Sequence, residues 1–260
     1  MLAVPDGDRI RRRVTRWCVF GPAGRSRRPR LGDVSTQSTP SIPGVPSSSA
    51  VNTFWAVVSA AALHSMSATV GGMPLAPDVA RRLLLADRSG EFSAILDESR
   101  QHLDSLAELS EVEPLIGSIG SYVPSRSWLQ VLLRDYLLVG LCSDFIDQVQ
   151  GHLDEELIPA SGSYGPWLGV GTGVRVRWDE EMRAQLAAAT DLSAESAFAR
   201  KLVGEVLSVA QRLAAVHQDL CSLLTGAGEG DLDDLSAITE VMAAVLSLHD
   251  RRVAELGLEP

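Results

Sequence analysis

Lysine is almost missing from this 260-residue chain: Lys201 stands alone against 22 arginines. With the abundance of alanine, that imbalance reads as the codon bias of a GC-rich genome and not as a nucleic-acid-binding signature. Aromatic residues make up only 5%, and no stretch shows the regular short alternation of apolar and polar residues, which excludes a sandwich or barrel. The three cysteines, Cys18, Cys142 and Cys221, are odd in number, widely spread and without a Cys-x-x-Cys. That excludes a disulfide framework and a cysteine zinc site, and it fits a reducing cytoplasm. Long hydrophobic runs are lacking too. The longest, Phe54 to Leu63, contains Ser59 and falls short of the ~20 residues a bilayer requires.

What charge there is divides unevenly. Residues 1–30 carry nine arginines against Asp6 and Asp8, whereas residues 31–260 hold 14 basic and 31 acidic side chains. An acidic body repels phosphate backbones, so nucleic acid is not expected as its partner. Residues 1–50 pass from Arg11-Arg12-Arg13 and Arg27-Arg28 into the Ser, Thr, Pro and Gly of Ser35 to Ser49. Such a composition cannot bury enough apolar area to fold, and a disordered tail is expected. A targeting signal would need an apolar core after Arg13, and only Val14-Thr15-Arg16-Trp17 follows. No Met occurs between Met1 and Met66, so a start assigned too early is weighed ahead of a basic arm for nucleic acid.

From residue 51 to 260 the apolar residues recur at three- and four-residue spacing, which predicts one all-α domain. A first helix is expected from about Val51 to Val70, ended by Gly71-Gly72. A second starts at Pro77-Asp78, where proline suits the first turn, and runs to about Val112, before Pro114. The third opens with the capping-box pattern Ser127-Trp128-Leu129-Gln130 and reaches about Leu153. After the glycine-rich stretch Pro159 to Gly173, a short helix covers Val174 to Ala189. The fifth, Ser193 to Thr225, carries the seam Phe198, Leu202, Val206, Val209, Leu213, Val216, Leu220 and Leu223. That is knobs-into-holes spacing for helices crossing at a shallow angle. The sixth follows Gly226 to Gly230, with Asp231 as cap and Leu235, Ile238, Met242 and Val245 as stripe. Long helices with short connections predict an antiparallel bundle.

The blocks Leu202-Val203-Gly204-Glu205-Val206-Leu207-Ser208 with Ala210-Gln211-Arg212, Trp128-Leu129 leading to Asp144-Phe145, His249-Asp250-Arg251-Arg252, and Leu256-Gly257-Leu258-Glu259-Pro260 together carry a resemblance. They are similar to actinobacterial ferritin-like proteins grouped with the tRNA hydroxylase MiaE, over about residues 51–258. The resemblance implies a ferritin-like antiparallel bundle of four long core helices with additional C-terminal helices. In the family it also implies a carboxylate-bridged di-iron centre.

Such a centre takes a Glu or Asp from each of two helices and a Glu-x-x-His pair from each of two others, because i, i+3 spacing aims both ligands at the bundle axis. Three residues before His64, His102, His152, His217 and His249 stand Ala61, Ser99, Val149, Ala214 and Leu246, so the pair is missing at all five histidines. Aligned on the family, the first-helix carboxylate falls at Ser65 and the second-helix pair near Ile95 and Glu98. The third-helix carboxylate falls at Val139 and the fourth-helix pair at Gly171 and Val174. Only Glu98 is acidic, and it occupies the histidine place. The resemblance therefore implies a degenerate di-iron site, with no catalytic, cofactor-binding or metal-binding residue.

Some leftovers invite a ligand reading. Glu98 and His102 share i, i+4 spacing, which can bind metal but more often marks a surface pair. Glu205, between Lys201 and Arg212, reads as a salt-bridged structural carboxylate. His249 reads as a hydrogen-bonded, partly buried histidine, and Asp135, on an apolar register, as a carboxylate satisfied by arginine or by the bundle edge. Gly169-x-Gly171-x-Gly173 has no strand before it, so it does not make a phosphate loop. Asp231, Asp233 and Asp234 are no EF-hand, because Met242 stands where the bidentate Glu belongs.

The expected function is a non-catalytic, cytoplasmic bundle protein, a pseudoenzyme serving as scaffold or partner to another helical protein or to itself, without cofactor and away from membranes. The alternative is a non-haem di-iron oxygenase of the tRNA-hydroxylase type with rearranged ligands. A third reading is a bundle whose vacated centre holds an apolar ligand, since Val and Ile in place of carboxylates turn a polar pocket greasy.

Overall fold

Asp78 caps the second helix among the described residues: its side chain accepts the backbone N–H of Arg81 at 2.9 Å, so Pro77, expected in the first turn, precedes the cap. The computed structural model describes residues 48–149, 173–225 and 233–259, all within the second of two units, 1–43 and 44–260. Those residues are helical, with no strand among them. In chain order they form α1 (Ser48–Gly71), α2 (Val79–Ser99), α3 (Ala107–Tyr122), α4 (Trp128–Val149), α5 (Gly173–Ala188), α6 (Ser193–Val216), α7 (Gln218–Thr225) and α8 (Asp233–Glu255). The longest have 24 residues, about 36 Å at 1.5 Å per residue. Of the expected tail 1–50, residues 48–50 instead begin α1, and the rest of the tail, the glycine-rich insertion with Gly171, the turn Gly226 to Gly230 and the Asp231 cap lie outside the described residues.

Two boundaries differ from the sequence reading. The expected helix from Pro77 to Val112 is two helices. It ends at Ser99, passes through a short 3-10 turn, Arg100–His102, and restarts as α3 at Ala107. The restart has a sequence signal, Ser105-Leu106-Ala107-Glu108. Ser105 Oγ accepts from Ala107 N at 3.2 Å and donates to Glu108 Oε2 at 3.0 Å. Asn52 of α1 fixes the bend by accepting the N–H of Asp104 at 3.1 Å. Pro114, expected to lie beyond a helix end, sits inside α3.

The expected helix Ser193 to Thr225 is also broken, at His217, whose φ of −114° and ψ of 80° leave the helical region. The break changes which core the seam serves. Phe198, Leu202, Val209 and Leu213 join one apolar cluster, whereas Leu220 and Leu223 join the other. Val216, at the break, is 64% exposed.

The first cluster gathers Val112, Ile116 and Ile119 of α3, Leu132, Leu133 and Leu137 of α4, Trp178 and Met182 of α5, and the front of the α6 seam. The second gathers Phe54, Trp55 and Val58 of α1, Phe92 and Ile95 of α2, Val139 and Ile146 of α4, and α7. Helix α4 divides between them, which explains a helix apolar nearly all round. The C-terminal end of α8 is closed at Gly257, whose φ of 74° suits glycine. There Leu258 N bonds Val253 O at 3.2 Å, and both side chains are buried, which completes a Schellman cap.

Helix α1 with the turn after it, Ser48–Leu75, has the length and mean hydropathy, 1.2, to cross a membrane. Counting unbroken apolar residues in Phe54 to Leu63 missed this. Within the bundle, 44% of that window is buried, and Phe54, Trp55, Ala56 and Ala60 are at most 1% exposed. Packing accounts for the apolarity of these positions.

Candidate functional site

The polar centre of the molecule lies where α2, α4 and α5 meet, and it is built at heptad spacing. Glu181 of α5 receives a fork from Arg81 of α2, Nε at 3.1 Å and Nη2 at 3.0 Å, and the indole N–H of Trp128 of α4 at 3.0 Å. Seven residues further along α2 and α4, Arg88 Nε donates to Asp135 Oδ1 at 3.1 Å. Arg175 of α5 donates to the other carboxylate oxygen at 3.2 Å. Trp178, between these two layers, donates to Leu132 O at 3.2 Å. The pairing fixes register: α2 and α4 run parallel, and α5 runs antiparallel to both.

Burial makes the inner layer the consequential one. The side chains of Arg88, Asp135 and Arg175 are 0%, 5% and 8% exposed. Burial opposes the charge of Arg88, but Asp135 and Glu91 outweigh it and raise its pKa. Phe92 lies under its guanidinium at 4.4 Å, and Tyr136 lies under that of Arg175 at 4.8 Å. Arg175 Nε comes within 2.9 Å of Asp179 Oδ1, close enough for ion pairing but not aligned for an N–H···O bond. Burial pushes the Asp179 carboxyl up. In the outer layer, burial of Glu181 is outweighed by Arg81, Trp128 and Gln185, which together lower its pKa. Two charge layers of this kind can lock helix register; none of their groups is arranged as a nucleophile with a base.

One heptad beyond Arg88 the character changes. Ile95 and Val139 are each 3% exposed and both belong to the second apolar cluster. Glu98 is exposed and does not join them. The α-helix ends at Ser99, between Glu98 and His102, and the His102 ring stacks on Trp55 with centroids 4.2 Å apart. Ser65 lies apart, in a small slot against α4, and Val174 packs half-buried on the first cluster. Among the described residues, no three His, Cys, Asp or Glu side chains stand close enough to hold a metal together.

The other leftovers also find their places. Asp135 is satisfied by arginines, two of them. Glu205 makes none of the ion pairs found among the described residues, because Arg212 turns to Ser118 Oγ at 3.2 Å and to Ser208 O. His249 is buried with its Nδ1 unpartnered, and burial, then the charge of Arg252, lowers its pKa to about 4. Arg252 itself places Nη2 2.9 Å from both oxygens of Asp144. Gly140 permits that approach: a Cβ there would lie 2.6 Å from the guanidinium carbon. Sequence reasoning missed Arg88, Arg134 and Arg175. The available signal was an arginine on an apolar helix face, as with Arg88 between Leu84-Leu85 and Phe92.

No family model matches the chain, and no curated protein matches it.

Proposed function

We propose that this protein is a non-catalytic helical-bundle protein, a member of the MiaE-like ferritin family whose di-iron site is degenerate, acting as a scaffold or interaction partner. The observation that carries the reading is the burial of Ile95 and Val139 in one apolar cluster. Where the family resemblance implies ligands from two helices, the chain has two apolar side chains in one cluster with Phe54, Val58 and Phe92. A carboxylate at either place would be desolvated. The charge layers beside it support a structural role as well. Their ion pairs link three helices.

The test is metal analysis of protein purified from iron-replete cells. The expected result is far less than one iron per chain. Close to two irons per chain, with the absorption of an oxo-bridged pair, would overturn the reading in favour of an oxygenase with rearranged ligands.

A further inference from the structure

Helix α2 buries Leu84, Leu85, Arg88, Phe92, Ile95 and Ser99, and its opposite face is unlike an ordinary solvated one. Val79 and Leu83 are 66% and 61% exposed. Ala86, Gly90 and Ala94, also exposed, continue the same line at three- and four-residue spacing. Over the stretch from Val79 to Ala94, about 22 Å of helix, no charged residue falls on that line. A helix face turned to water ordinarily carries charge there.

Gly90 stands in the middle of the line. Glycine is a poor helix former, and nothing within the chain requires it here, because a Cβ would meet no atom within 4 Å. Ala86, Gly90 and Ala94, four residues apart, make a flat strip on which a second helix can lie with its backbone close. The two ends of the line differ in charge. At the N-terminal end Arg82 is exposed and forms none of the ion pairs found among the described residues. At the C-terminal end Asp97 and Glu98 stand near Arg100, which pairs with Asp97 at 3.1 Å in the open. Two carboxylates against one guanidinium leave that end acidic.

This order is complementary to its own reverse. Turning α2 end for end about Gly90 sets Ala86 against Ala94, each four residues from the centre. It also sets Arg82, eight residues before the centre, against Asp97 and Glu98, seven and eight after it. The larger Leu83 then falls beside Ala94, on the flat part of the strip. We propose that the outer face of α2 docks on the same face of a second copy of this chain, with the two helices antiparallel about a two-fold axis at Gly90. The inference gives a surface to the interaction-partner reading above and rests on it. A single helix face of this length buries less than the roughly 800 Å² per partner of a standard interface. The dimer is therefore reversible, with a Kd on the order of 10 µM.

The experiment is sedimentation velocity of the full chain from about 1 to about 100 µM, a range that brackets that Kd. The mass should move from 27.8 kDa toward twice that value. Gly90→Leu fills space that is open in the single chain but holds two helices apart. It should raise the Kd at least tenfold without lowering the Tm of the monomer. Arg82→Glu should weaken the dimer as well, and adding Asp97→Arg in the same chain should restore it. A wild-type chain that stays monomeric throughout overturns the contact. So does a dimer indifferent to Gly90→Leu and Arg82→Glu, which would use another face, and so does failure of Asp97→Arg to restore association. Iron content is read separately: an iron-loaded protein that dimerises in this way sinks only the reading above, and an iron-free monomer sinks only this contact.

Discussion

Arg88 and Asp135 bond at 3.1 Å across two parallel helices, with side chains 0% and 5% exposed. Asp135 also holds Arg175, so it is the hub on which three helices depend. Asp135→Ala would leave two buried guanidinium groups short of a partner. We expect a loss on the order of 3–5 kcal/mol, read from urea unfolding. Replacing Arg88, Asp135 and Arg175 together by Met, Leu and Met should cost less than Asp135→Ala alone. The opposite order would show that the ion pairs themselves are net stabilising.

Stability should fall in mild acid for a reason local to two histidines. His64 and His249 are both lowered to about 4 from 6.5, mainly by burial. Each binds a proton more weakly folded than unfolded. Their contribution is therefore complete above pH 6.5 and is lost as pH drops from 6.5 toward 4, by on the order of 2 kcal/mol each. His249→Gln should flatten the stability profile in that window; an unchanged slope would assign it to other groups.

An acid placed at the apolar centre should not build a metal site. Ile95→Glu sets a carboxylate in the apolar cluster of Phe92, Val139 and Phe54. The expected loss is on the order of 3–5 kcal/mol, unchanged by added iron in a thermal melt. Iron-dependent recovery of the Tm would contradict an inert centre.

Three helical glycines should part company when changed to alanine. Gly90 and Gly204 have open space where a Cβ would go, so each change should stabilise by about 0.5–1 kcal/mol. Gly140→Ala should forfeit that gain, because its Cβ displaces Arg252 from Asp144. Denaturation midpoints of the three single variants give the comparison directly, and equal gains would mean that Arg252 moves aside freely.

Local pattern was enough to predict helices at α1, α5 and the start of α4, because capping and apolar spacing act within a few residues. At α4 the cap is in place: Ser127 Oγ accepts from Gln130 N at 3.2 Å, while Gln130 Oε1 reaches back to Arg126 N at 2.9 Å. The apolar identity of Ile95 and Val139 could likewise be read from the chain alone. Tertiary structure decided the rest. The seam from Phe198 to Leu223 has unbroken spacing, yet the helix breaks at His217 and the two parts of the seam join separate apolar clusters. Asp135 was visible as a carboxylate on an apolar face, but its partners lie 47 residues before it and 40 after. Periodicity reports which face of a helix is buried; which charges meet there depends on how three helices are set in register, and that register is a property of the packed bundle.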